Sequence, residues 1–263
     1  MSYLRLRQIC FVARDLERPA KQLCDVFSLA IAHRDPEIGR IGLRNVLIPS
    51  GAQPIFLEIV SPARAGTTAE RYLDKRRGDG GYMFISDTSD LEGLRANAEG
   101  CGARLLWHTE RRDGDPVESF QLHPKDTGGA MLEFDRHGSG EDLHGAYRFA
   151  GPNWRKAMRL QCVKAILGAE LQTDDPERLA KRWARIFGRE VTRAGPHGIW
   201  ELRLDNAFAR FSPLKDDRGE GLSAVHVSLI DPTATRSNAE RLGVEFDGED
   251  PIICGVRFVL DSQ

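Results

Sequence analysis

The chain repeats itself with a period of 75 residues, and that period limits the folds open to it. Gln8-Ile-Cys-Phe-Val-Ala-Arg-Asp15-Leu16-Glu17 is a largely apolar run leading into a helix start, and Met83-Phe-Ile-Ser-Asp-Thr-Ser-Asp90-Leu91-Glu92 restates it 75 positions later. Apolar residues then recur at helical spacing, at Ala20, Leu23, Val26 and Phe27 in the first copy and at Leu94 and Ala98 in the second, where Gly100 and Gly102 close the pattern. The signal is a strand running into an amphipathic helix. Each copy ends on a short apolar strand that holds one carboxylate, Glu58 within 55–60 and Glu133 within 130–134. Between the first helix and Glu58 lie two more strand-like runs, Ala30–His33 and Gly42–Ile48, parted by Pro36 and Gly39. Each copy therefore reads as a β-α-β-β-β module.

The second half carries a weaker echo. Ile166–Leu171, the helix Arg178–Phe187, and the hairpin Trp200–Leu204 with Phe208–Phe211 form a third module, with Phe211-Ser212-Pro213 set parallel to Val60-Ser61-Pro62. A fourth begins at Ala224, has its helix end at Leu242-Gly243, and finishes at Gly255–Leu260. The stretch between Arg136 and Arg159 turns rich in Gly, His and polar residues and predicts a boundary. The expected division is 1–139, a linker at 140–160, and 161–263. The fold class is α+β: paired β-α-β-β-β modules, four in two domains, with sheets curling into partly open barrels.

With 37 Lys+Arg against 39 Asp+Glu the net charge is −2, which calls for no nucleic-acid partner. No apolar run approaches the roughly 18 residues of a membrane helix, and the apolar stretch near the N-terminus is too short for a signal peptide, so a cytoplasmic protein is expected. Five cysteines, odd in number and without C-x-x-C, read as reduced thiols. The spacing is also compatible with a homodimer formed when an exposed edge pairs with a second copy.

Side chains alternate faces along a strand, so Gln8, Cys10 and Val12 share one face while Ile9, Phe11 and Ala13 share the other. The helix covers the more apolar face, which turns Gln8 away from it, and the same parity turns Glu58 and Glu133 away. The repeat thus predicts a concave surface carrying Gln8, Glu58, Met83 and Glu133.

These modules, with their Asp-Leu-Glu helix starts and late-strand glutamates, resemble the vicinal oxygen chelate superfamily, which includes glyoxalase I, the extradiol dioxygenases and methylmalonyl-CoA epimerase. The most specific piece is Leu122-His123-Pro124-Lys125 followed by Gly128-Gly129 and Leu132-Glu133, similar to a stretch of the epimerases and their glyoxalase-like relatives. The resemblance implies metal ligands at Gln8, Glu58, Met83 and Glu133, and a divalent ion (Mg, Mn, Co, Ni or Zn) as cofactor. Relatives usually have His where this chain has Gln8 and Met83. Two carboxylates and an amide oxygen are hard ligands, whereas the Met83 thioether suits none of the hard ions. The equivalent positions of the second half read as Gly168, Ala209, Ala224 and Val259, which argues against an extradiol dioxygenase.

Two functions follow as expectations. One is a glyoxalase-like lyase or epimerase acting on a small oxygen-bearing substrate, in which the metal stabilises an enolate and Glu58 or Glu133 moves the proton. The other is a metal-free binding or sequestering protein of the bleomycin-resistance type. Candidate substrate contacts are Arg44 and Asn45 on a cup strand, Trp107 and His108 at a strand end, and His123 and Lys125 in a loop before Glu133. Without a metal, one carboxyl is expected to have a raised pKa.

Overall fold

In a computed structural model the protein is described at residues 2–111, 116–195 and 198–261, the side chains of Trp107 and Arg111 excepted. Four modules run along the chain. The first comprises β1 (Leu4–Val12), α1 (Glu17–Phe27), β2 (Leu43–Ser50) and β3 (Ile55–Pro62). After α2 (Thr68–Arg76), the second holds β4 (Gly80–Thr88), α3 (Leu91–Gly100), β5 (Leu105–Arg111), β6 (Val117–Leu122), the single turn α4 (Pro124–Thr127) and β7 (Met131–His137). The third is β8 (Val163–Thr173), α5 (Pro176–Phe187), β9 (Val191–Arg193), β10 (Trp200–Arg203) and β11 (Phe208–Pro213). The fourth is β12 (Gly221–Leu229), α6 (Pro232–Arg241), β13 (Glu245–Asp247), β14 (Asp250–Ile253) and β15 (Val256–Asp261).

Every module is wired alike. Its first strand pairs in parallel with its last, as β1 with β3, β4 with β7, β8 with β11 and β12 with β15, and the remaining strands add antiparallel at the far side. The expected Ala30–His33 strand is the one departure, since it is reduced to a single bridge between His33 and Leu47. The α+β class and the four-module plan stand. Among the described residues no helix is long and apolar enough to cross a membrane.

The chain divides into two compact units, and four of the five boundaries between them fall inside strands. Unit I is Met1–Arg7, Tyr82–Arg148 and Gly168–Leu222; unit II is Gln8–Gly81, Phe149–Leu167 and Ser223–Gln263. In unit I, α5 starts on an Asp175 cap whose carboxylate accepts from the Arg178 amide, has Pro176 in its first turn, and stops at Gly188 in the left-handed conformation. Its buried stripe, Leu179, Ala180, Trp183, Ile186 and Phe187, recurs at helical spacing. Trp183 meets Phe84, Phe187 and Phe211 with centroids 5.3–5.6 Å apart, and Phe134 meets Phe187 at 5.0 Å. Phe84 and Phe134 therefore look toward the helices, which leaves Met83, Ile85 and Asp87 of β4 and Glu133, Asp135 and His137 of β7 on the other face. In unit II, Phe11 and Phe27 pack on Phe258 at 6.0 and 5.2 Å, so Gln8 and Cys10 occupy the face away from α1.

Two features escaped the sequence reading. Helix α2 opens with Thr67-x-x-Glu70, where the Thr67 hydroxyl accepts from the Glu70 amide, the sequence signature of a helix start. Arg76, in its last turn, is buried. The Gly128-Gly129 pair closes α4. Both residues have φ near +70°, and a Cβ on Gly129 would lie 2.5 Å from Leu171.

Candidate functional site

In unit II the strand face expected to form the cup centres on Glu58. β1 and β3 register Gln8 beside Phe56 and Cys10 beside Glu58, which sets all four side chains on one face. The Gln8 amide donates Nε2–H to Glu58 Oε2 at 2.7 Å, and the Asn45 amide donates Nδ2–H to Oε1 at 2.6 Å. Asn45 is fixed in turn, because its Oδ1 accepts from the Asp35 amide at 2.9 Å. Both carboxylate oxygens thus sit against N–H groups in a buried place. Burial pushes the Glu58 carboxyl above its ordinary pKa, against the opposing pull of the bonds from Asn45, Cys10 and Gln8. Replacing Asn45 with Leu leaves Oε1 without its donor; a loss of about 2–3 kcal/mol is expected by urea denaturation.

Unit I carries a longer polar row. Glu133 accepts from Gln121 Nε2 at 2.5 Å, and Asp135, fully buried, sits two residues on along the same face. Burial first, and the neighbouring Glu133 next, hold the Asp135 carboxyl well above the ordinary range. Asp87 takes a two-pronged contact from Arg5, Nε to Oδ1 at 3.1 Å and Nη2 to Oδ2 at 2.9 Å. Arg7 lies over the Tyr147 ring at 4.7 Å and donates to the Leu143 carbonyl at 2.9 Å. His137 meets the same ring at 4.9 Å, and its pKa falls to about 3 because it is buried beside Arg7 and Arg5.

Of the residues expected from the sequence, Gln8, Asn45 and Glu58 come together in unit II. Asn45 holds Glu58, and Arg44, on the opposite face of β2, is exposed. Met83 and Glu133 lie on one face of unit I, 8% and 6% exposed. His123 caps α4 through Nδ1, which accepts from the Lys125 amide at 3.2 Å, and Lys125 and His108 are exposed. The Trp107 side chain lies outside the described residues. Strand register corrects one equivalence. Glu170 pairs with Arg210 as Cys10 pairs with Glu58, so Arg210 rather than Ala209 stands in the third module where Glu58 stands in the first. Arg210 donates to Glu201 at 2.9 Å, and buried Glu170 meets Ser212 and Lys215 at 2.9 and 2.8 Å. That face is polar, although Gly168 and Ala209 were the positions expected there. His226 is buried, with Nδ1 3.7 Å from Asp261.

The residues do not suit a divalent ion in this arrangement. Among the described residues no group of three or more His, Cys, Asp and Glu side chains could hold one. In unit II the Gln8 and Asn45 amides turn N–H groups, not oxygen lone pairs, toward Glu58. In unit I the first-strand position offers only the Met83 thioether.

No family model and none of the curated proteins matches the sequence. Solved structures do match. A hypothetical protein from Staphylococcus aureus superimposes with TM-score 0.67 at 13% identity over 98% of both chains. The Mn(II)-bound glyoxalase from Novosphingobium aromaticivorans gives 0.66 at 13% identity over 100% of this chain and 84% of its own. Methylmalonyl-CoA epimerase from Mycobacterium tuberculosis matches 50% of this chain and 87% of its own at 23% identity, with TM-score 0.44. Taken with the four parallel-closed modules, the first two likenesses define the class: the chain has a fold of the vicinal oxygen chelate type.

Proposed function

We propose that the protein is a metal-independent member of this fold class that binds a small oxygen-bearing molecule in the cup, with Glu58 as the group that meets the ligand. The observation that carries the reading is the state of the Glu58 carboxyl, whose two oxygens accept from the Gln8 and Asn45 amides. A cation placed there would face two N–H dipoles. A neutral carboxyl in the same cradle instead offers a ligand a proton to share, and burial favours the neutral form. The same raised pKa supports a second reading, in which Glu58 exchanges a proton with a carbon acid and the protein is a lyase or epimerase without a metal.

Metal content separates this proposal from the chelate mechanism that the family resemblance implies. Purified protein is incubated with Mn²⁺, Ni²⁺, Co²⁺ or Zn²⁺, desalted, and analysed for metal and for thermal stability. The expected result is less than about a tenth of an equivalent bound and an unchanged Tm. One equivalent of any of these ions, with a rise in Tm that is lost in Glu58→Gln, would restore the metal-assisted enzyme.

A further inference from the structure

The stretch 140–160, expected to be a linker, brings an aromatic ring into the cup of unit II. Trp154 opens a short 3-10 turn, Trp154–Ala157, that packs on β2. Its ring is 1% exposed and stands edge-on to Phe56, with centroids 5.2 Å apart and planes at 78°. Phe56 is two residues before Glu58 on the same face and directly beside Gln8. The ring therefore packs on the residue that stands beside Gln8 and shares a strand face with Glu58.

How the turn is held is as informative as where it sits. From residue 152 through residue 162, Trp154 is the only buried side chain. The Lys156 and Met158 amides donate to Asn153 O and Arg155 O, inside the turn itself. Firm attachment comes at the ends. Gly151, at φ +76°, lies so close to His33 that a Cβ would sit 2.6 Å from the ring; at the other end the Cys162 carbonyl accepts from the Ile230 amide at 2.9 Å, its thiol meets the Thr235 hydroxyl at 3.1 Å, and Ala52 donates to the Lys164 carbonyl at 3.0 Å. A segment tied at two ends and anchored between them by one ring opens when that ring withdraws, without unravelling the strands beneath.

We propose that Trp154 is a built-in occupant of the ligand site: the cup takes an indole-sized planar aromatic molecule, and binding exchanges that ring for Trp154 as residues 152–161 swing out. The inference rests on reading the cup as a binding site and adds the class of ligand and the way in. Edge-to-face packing on Phe56 and the neighbouring Gln8 and Glu58 groups would serve an incoming ring as they serve Trp154.

The chain carries its own reporters. Cys10 lies on the cup face beside Glu58 and is fully buried, while Cys254 is buried elsewhere in unit II, its thiol donating to the Val12 carbonyl. Labelling with methyl methanethiosulfonate, followed by mass spectrometry of each cysteine, compares the wild-type chain with Trp154→Ala. The expected result is at least about tenfold faster labelling of Cys10 in the variant with Cys254 unchanged, and suppression of that gain by millimolar indole. Equal acceleration at both cysteines would mean general destabilisation and would overturn the proposal, as would a Cys10 that indole leaves unprotected. Should Trp154→Ala fail to fold, wild-type labelling in graded urea decides. Cys10 labelling that is flat at low urea while Cys254 labelling climbs supports local opening; parallel slopes refute it. None of these readouts depends on bound metal, so they can fail while the metal result stands, and the reverse.

Discussion

Replacing Arg5 with Met is expected to cost the protein about 3–5 kcal/mol, read as a lower urea midpoint with an unchanged slope. Arg5 grips both oxygens of Asp87 in a place where neither side chain is more than a tenth exposed, and it also donates to the Gly140 carbonyl. Removing it strands a carboxylate that burial already holds above its ordinary pKa in spite of the guanidinium. With the Arg5 charge gone and only Arg7 left, its Nε 4.0 Å from Oδ2, the Asp87 carboxyl is pushed further above its ordinary pKa, so the sign of the pH effect is fixed. The folded variant binds a proton that the unfolded chain has released, and its deficit grows as pH rises above the ordinary aspartate value and shrinks below it. The double variant with Asp87→Leu is expected to recover a large part of the loss, because an apolar pair of similar size carries no charge to desolvate. If the single and double variants were equally unstable, the pair would matter only for its packing.

The second large effect belongs to His137. Its pKa in the folded protein lies at about 3, against about 6.5 for an unperturbed imidazole, because burial comes first and the Arg7 and Arg5 charges reinforce it. The folded state keeps this ring neutral while the unfolded chain protonates it, so stability is lost as pH falls from about 6.5 toward about 3. Between pH 7 and pH 4 the loss assigned to this group is about 3 kcal/mol. Asp135, raised in the same unit, acts in the opposite direction, since it keeps its proton when folded and gains stability as pH falls toward the ordinary aspartate range. The net acid limb of the wild type is therefore shallower than His137 alone would give. His137→Gln isolates the term: the stability difference between variant and wild type, followed from pH 7 to pH 4, should move by about 3 kcal/mol in favour of the variant. A difference that stayed constant with pH would show that His137 is not buried neutral.

Much of the fold could be read from the sequence, because the features that set it are periodic. The 75-residue spacing locates the first and last strands of both front modules, and parity alone turns Gln8 and Glu58 to one face. What the period did not disclose depends on contacts between elements. Glu133, Asp135 and His137 alternate along β7, a pattern visible in Glu133-Phe-Asp-Arg-His137, but its meaning depends on Arg5 and Arg7 being folded against it. Asn45 was read as a substrate contact because an amide on a cup strand has free hydrogen-bonding capacity until its neighbours are known; here Asp35 and Glu58 use it. Arg210 escaped because aligning Phe211-Ser212-Pro213 with Val60-Ser61-Pro62 is off by one against the strand register, and one step in a strand exchanges the two faces. Trp154 was hidden by composition, since one anchoring ring in a Gly-rich and polar stretch leaves no period to detect.

The makeup of the two units bears on what would happen to a broken chain. Phe84 and Phe134 share their core with Trp183, Phe187 and Phe211, while Phe11 and Phe27 share theirs with Phe258. A single cut near residue 150 would divide each of these aromatic clusters between two fragments. Neither fragment would own a finished interior, yet each would carry the complementary surface of the other. Such pieces are expected to be sticky and poorly structured when made apart, and to regain their structure by finding one another when mixed.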